Sequence, residues 1–434
     1  MRPRVGVVAD DVTGAGDIGG LFAEHGYAVR VFGAEADLGA LPRLLEGRRC
    51  DVLVVDTDSR FLGPEEAAGR VARAARALQG LGCTLLWKKT CSVFRGNVGA
   101  EFDALLDALG AGFGAAVAAF PKNGRTTVHG VHYVRGVPLD ESEFKDDPVH
   151  PTRTAKLLEV VAAQSRRPVH SLPLEALREG RAEEVLEAAR RQGGYLLCDC
   201  QTQHDLHALA RLLHAEPVLL GSSALAEELP RFWDPPEPFD PLAGVDLGPA
   251  GNALVVAGSV MPQTRAQVEA FVAAGGAELV LGGEEALARP ERARAALAEQ
   301  AVRHLRRGES VLVRSENHPE AVRRTRERGE ALGLGGLEVS RRVSGLLAEV
   351  AREALAHTPV RRLVVLGGDT SASVCRALGI RQTVVLREIQ PGLPSSLAVL
   401  EKPLLLVLKS GSFGQPDFIL RALEHLESLR SSHD

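Results

Sequence analysis

Val5 to Gly20, VGVVADDVTGAGDIGG, leaves this chain the fewest choices: an unbroken apolar run, two adjacent carboxylates and then closely spaced glycines. Val5, Val7 and Val8 are β-branched and lack polar alternation, so they predict a strand buried on both faces, as in a parallel sheet packed between helices. The glycines predict a turn, because they accept φ > 0 and close backbone approach. Asp10 and Asp11 then emerge at the carboxyl end of the strand, the edge where open α/β sheets bind ligands. They are candidates for general-base or metal-binding work. Asp11 or Thr13 could instead do no more than cap the helix that follows.

Gly14, Gly16 and Gly19 also spell G-x-G-x-x-G. In a dinucleotide fingerprint the first glycine closes the strand, whereas here Ala9 to Thr13 intervene and bring two negative charges to the pyrophosphate position. An NAD-dependent dehydrogenase is therefore only a minor alternative.

The rhythm of strand, polar loop and helix continues down the chain. Val52 to Val55 leads into Asp56, Asp58 and Arg60, and Pro64 to Leu78 has the proline and early glutamates of an exposed helix. The strand CTLLWKK opens into KKTCSVFRGN, where Lys88, Lys89, Arg95 and Asn97 surround a short loop before an amphipathic helix. Basic side chains at a helix N-terminus suit a carboxylate or phosphate, although any one of them could be a solvated surface charge. Asn123, Gly124 and Arg125 form a turn with another basic residue, and 196–202 and 216–229 repeat the strand, loop and helix order. Residues 234–250 are rich in proline and have no period. They mark a linker between domains 1–233 and 251–434, in a chain of 434 residues that is too long for one ordinary core.

The second half resumes with a strand running into Gly258 and Ser259, then a helix after Pro262. RLVVLGGDTS places Gly367, Gly368, Asp369, Thr370 and Ser371 between strand and helix, and LLLVLKSGSFG does the same with Lys409, Ser410, Gly411, Ser412 and Gly414. Backbone N–H groups and the helix dipole at such turns cradle phosphate. Two such loops, with Ser259 as a third strand end, point to a nucleotide site. The chain has no Gly-Lys dipeptide and hence no Walker A loop.

Composition narrows the partners. A net charge of −5 offers no broad basic field for nucleic acid, so any anion site is local. No apolar run nears the ~20 residues of a membrane span, and the first residues reach acids before a signal core could form, so a cytoplasmic location is expected. The six cysteines make no disulfide framework, and the histidine pairs lack completing ligands, so no structural metal is expected.

ADDVTGAGD, DTDSR, KKTCSVFRGN, FPKNGRTT, AGSVMPQT, GGDTS, PGLPSS and KSGSFG together resemble, end to end, the four-carbon acid sugar kinase family, once a domain of unknown function. The resemblance implies two α/β domains, each a mostly parallel sheet flanked by helices, with the active site in the cleft between them. It implies phosphorylation of a tetronate or 3-oxo-tetronate by ATP with Mg²⁺. Asp10, Asp11, Arg60, Lys88, Lys89 and Arg95 would face the acid sugar, and Ser259, Gly367, Gly368, Asp369, Thr370, Gly411 and Gly414 would face ATP. No metal ligand follows from it, and a homo-oligomer is left open. Cys91 and Val93 stand where the family usually has aspartate and threonine, and Ser412 where asparagine is usual. The expected mechanism has the basic cluster hold the carboxylate, Asp11 or Asp10 accept the proton of the attacking hydroxyl, and glycine-loop amides spread phosphoryl charge. A two-lobed binding protein without catalysis is the competing class.

Overall fold

In the computed structural model, which describes residues 4–145, 150–249 and 251–431, the chain divides into two units at Phe239/Asp240. The first contains strands β1 (Val5–Ala9), β2 (Val29–Phe32), β3 (Val52–Asp56), β4 (Leu85–Lys89), β5 (Phe113–Val117), β6 (Arg125–Val128), β7 (Val131–Val134), β8 (Val137–Pro138), β9 (Val169–Leu172), β10 (Gly194–Cys198) and β11 (Val218–Gly221). Its main sheet runs β2-β3-β1-β4-β11-β5-β10-β9, with every pair parallel. Strands β6, β7 and β8 form a small antiparallel sheet.

The apolar runs read as predicted because helices cover both faces. Gly6 packs under Leu78 of the helix Pro64–Gly80, while Trp87 meets Phe22 of the helix Val12–Glu24 edge to face. Ala9 is level with Asp56 on one side and Lys89 on the other. The loops after β3, β1 and β4 therefore leave one edge of the sheet together.

The second unit contains β12 (Leu254–Ala257), β13 (Ala277–Leu281), β14 (Val311–Ser315), β15 (Arg362–Leu366), β16 (Gln382–Gln390), β17 (Leu393–Ala398) and β18 (Leu404–Lys409). The order is β13-β14-β12-β15-β18-β17-β16, parallel from β13 to β18 and antiparallel beyond. From β12 the chain first builds outward through β13 and β14, then returns past β12 to lay down β15. The strand order thus reverses between β12 and β15, the crevice where such sheets take ligands. Ala257 is level with Leu366, and Leu366 with Lys409.

Two expectations are corrected. The glycines after Asp11 form no turn: the helix begins at Val12, directly after the strand, and Gly14, Gly16, Gly19 and Gly20 lie inside it. After β11 there is no α-helix, only two 3₁₀ turns, Ala224–Glu227 and Leu229–Phe232, since Pro230 cannot donate within a helix interior. The proline-rich stretch is tied down at both ends: Arg49 donates to Pro238 O in the first unit, and Arg362 donates to Pro249 O in the second.

Candidate functional site

At the level edge of β3, β1 and β4, one arginine holds two aspartates. Arg60 donates from Nε and Nη2 to Asp10, both at 2.9 Å, and from Nη1 and Nη2 to Asp11, both at 2.8 Å. Four of its five N–H groups are spent within the protein. Asp10 is 1% exposed. Burial pushes its carboxyl up, but Arg60, Lys88 and Lys89 outweigh that and hold it well below the usual carboxylate range. Asp11 is the helix N-cap, accepting from Gly14 N at 2.9 Å and Thr13 Oγ1 at 2.7 Å. It is the more open member of the pair, its side chain 12% exposed.

The two lysines do not act together. They are consecutive on a strand, so their side chains leave opposite faces of the sheet. Lys88 is fully buried and pairs with Glu101 at 2.9 Å beneath the helix Val98–Leu109. Lys89 lies on the face of the helix Val12–Glu24, where its ammonium sits 3.7 Å from Asp17 and donates to Thr90 O at 3.2 Å. Asp17 in turn accepts from Ser223 Oγ at 2.5 Å, and burial, opposed by Lys89, raises its carboxyl to about 6. Lys89, not Lys88, shares the side of Asp11: a Cβ on Gly14 would come within 2.5 Å of Asp11 Oδ1 and 2.8 Å of Lys89 Nζ. That glycine is present for space, not for backbone freedom.

Arg95 is half-buried, with its guanidinium 5.3 Å from the Phe144 ring centre; Arg125 lies 5.7 Å from the same ring. Asn97 donates to Leu62 O at 2.8 Å and so braces the loop after β3. Five of the six cysteines are buried; Cys91 is half-exposed. Burial pushes its thiol up, but Arg95 and Arg60 more than offset this and leave it below its ordinary value. Cys91 therefore lies within reach of the Arg95 and Arg60 charges, whereas Val93 is buried.

Sequence reasoning left Asp56, Asp17, Glu101 and Ser223 unassigned. Burial first, then the charges of Asp58, Asp11 and Asp10, push the Asp56 carboxyl well above the usual range. Its place at the end of β3, with acid neighbours on the adjacent strand, was the available signal.

In the second unit three loops converge. A Cβ on Gly367, whose φ is +121°, would lie 3.1 Å from Thr370 Oγ1 and 3.2 Å from Ser259 N, and one on Gly411 would collide with Ser259 Oγ. Gly414 also has positive φ, at +83°. Gly368 does not: it opens the helix Gly368–Leu378, so the conformational demand falls on Gly367. The N–H groups of Gly368, Asp369 and Thr370 are the orphan donors of that helix's first turn, and they face the same crevice end as Ser259. Asp369 is half-exposed and accepts from Ser340 Oγ at 3.1 Å. Among the described residues no three His, Cys, Asp or Glu side chains cluster to hold a metal, and no helix is long and apolar enough to cross a membrane.

The chain matches the model of a Sugar-binding N-terminal domain over residues 5–229 and of a Nucleotide-binding C-terminal domain over 254–419. It is 34% identical to a 3-oxo-tetronate kinase of Pseudomonas fluorescens, covering 98% of this chain and 97% of that one. It is 35% identical to a D-erythronate kinase of Heliobacterium modesticaldum (89% and 88% covered) and 30% identical to a D-threonate kinase of Salmonella typhimurium (98% and 98%). A crystal structure from Haemophilus influenzae superposes with a TM-score of 0.70 at 27% identity, over 97% of this chain and 100% of that one.

Proposed function

Since this chain belongs to the four-carbon acid sugar kinase family and is itself a sugar-acid kinase, we propose that it transfers the γ-phosphoryl group of ATP to a hydroxyl of a 3-oxo-tetronate. The observation that carries the nucleotide half is the meeting of the Ser259, Gly367–Thr370 and Gly411–Gly414 loops at the switch point, with backbone donors turned to one place. Two acids at the end of β1, with the glycines inside a helix, leave no pyrophosphate turn for a dehydrogenase.

In the acceptor half, Lys89 and Arg95 hold the substrate carboxylate. Asp11 takes the proton of the attacking hydroxyl, because Asp10 is too stabilised as an anion to serve as base. Arg60 fixes both carboxylates, and Lys88 contributes only charge from beneath the sheet. Asp369, half-exposed beside the donor loop, fits the one or two carboxylates by which Mg²⁺ is held alongside phosphate oxygens and water. Bound there, Mg²⁺ would neutralise phosphate charge. Cys91, in place of a hydrogen-bonding acid, favours the 3-oxo acid over threonate or erythronate, which present one more hydroxyl.

ADP release measured over 3-oxo-tetronates, threonates and erythronates, with and without Mg²⁺, tests the reading. Turnover greatest with a 3-oxo acid is expected. ADP formation with no member of the panel would overturn it.

A further inference from the structure

Lys409 closes β18 and is fully buried. Its ammonium donates to the carbonyl oxygens of Ser410 at 2.7 Å, Phe413 at 2.9 Å and Gly411 at 3.2 Å, with Thr264 Oγ1 at 3.4 Å. Thr264 Oγ1 also donates to Gly411 O at 3.0 Å, and Gln267 Nε2 to Phe413 O at 3.0 Å, so the helix Pro262–Ala273 grips the same carbonyls. A trans peptide holds its C=O and N–H antiparallel. Three carbonyls drawn inward to Lys409 therefore turn the N–H groups of Gly411, Ser412 and Gly414 outward. None of these three donates to an acceptor among the described residues.

We propose that Lys409 is a positioning residue for the phosphoryl donor: an internal cation that fixes the Ser410–Gly414 loop with its amides presented to the nucleotide's phosphates. This rests on the reading of the three convergent loops as the phosphate cradle. The lysine of a P-loop works the other way, reaching the phosphate itself. Here the lysine faces protein carbonyls and the backbone does the binding. Burial pushes the ammonium down to about 7, while its hydrogen bonds are spent on the Ser410 and Phe413 carbonyls.

The test is calorimetric titration of ATP and, separately, of the acid sugar into the full chain. Lys409→Met keeps the apolar stem and removes the donors. ATP Kd is expected to rise by about tenfold or more, as loss of charge-assisted anchors implies, with the acid sugar Kd within about twofold. Thr264→Val, a milder change at the same carbonyls, is expected to move ATP Kd a few-fold in the same direction. Unchanged ATP affinity in a folded Lys409→Met protein, or equal loss of both ligands, overturns the proposal. Gly367→Ala separates it from the cradle reading: its only link to Lys409 is the backbone bond from Gly367 N to Lys409 O, and the added Cβ meets Thr370 and Ser259, so it narrows the cradle without meeting the Lys409 side chain. If Gly367→Ala weakens ATP and Lys409→Met does not, the cradle stands and Lys409 has no positioning role; if neither does, the cradle itself is misplaced.

Discussion

Gly14→Ala is the sharpest probe of the acceptor site, because it adds one methyl group at the point where Asp11 and Lys89 converge. Gly14 is helical, so alanine meets no conformational penalty and gains up to about 1 kcal/mol of helix propensity. The new Cβ would stand 2.5 Å from Asp11 Oδ1 and 2.8 Å from Lys89 Nζ, whereas ordinary contacts lie at roughly 3.5 Å. One or both groups must move by about 1 Å. Lysine can yield at its flexible end. Asp11 cannot yield cheaply, because Oδ1 already accepts from Gly14 N at 2.9 Å and Arg60 Nη2 at 2.8 Å, charge-assisted bonds worth about 1.5–3 kcal/mol each. A displacement of 1 Å in a catalytic group can cost about 10²-fold. Coupled measurement of ADP release should therefore show kcat/KM for the acid sugar down about 10²-fold, KM for ATP unchanged and Tm somewhat lowered, since the propensity gain is smaller than the strained bonds. Gly69→Ala is the matched control: in a helix, with only Arg73 Nη1 at 3.8 Å, it should add about 0.5–1 kcal/mol of stability and leave turnover alone. Wild-type kcat/KM in Gly14→Ala would refute the assignment of Asp11 and Lys89 to the reaction.

Asp11→Asn should lower kcat by about 10²-fold or more with ATP binding intact; wild-type turnover would place the base elsewhere. Cys91→Asp should change relative kcat/KM among four-carbon acids by about tenfold, or ~1.4 kcal/mol in the transition state, and an unchanged ranking from a stable variant would remove Cys91 from specificity. Asp17 supplies a pH test. Its folded value of about 6 lies above the ordinary 3.8 of an aspartate carboxyl, so the folded state binds the proton more tightly and stability from this group is lost as pH rises through that window. Asp17→Asn does not titrate, so its stability relative to the native protein should rise by roughly 2 kcal/mol between pH 4 and pH 7 in denaturant titrations. Parallel curves would show that Asp17 does not carry the proton.

The strands, and the points where their loops emerge, can be read along the chain. A strand buried on both faces must be apolar throughout, and that signal is local to a few residues, so β1, β3, β12, β15 and β18 were legible, as were Asp10, Asp11 and the glycine loops at their ends. The opposed directions of Lys88 and Lys89 were also latent in strand alternation. Tertiary structure decided the pairings. Arg60 reads alone as an anion ligand, but the parallel pairing of β1 with β3 brings it under Asp10 and Asp11, fifty and forty-nine positions away, where it becomes their clamp. Gly14 reads as a turn until β4 places the Lys89 ammonium against it. Lys409 reads only as one member of a glycine-rich loop until that loop folds back and offers it carbonyls. Burial periodicity is written along the chain, whereas the partner of a charge depends on which strands lie side by side, and only the folded sheet supplies that order.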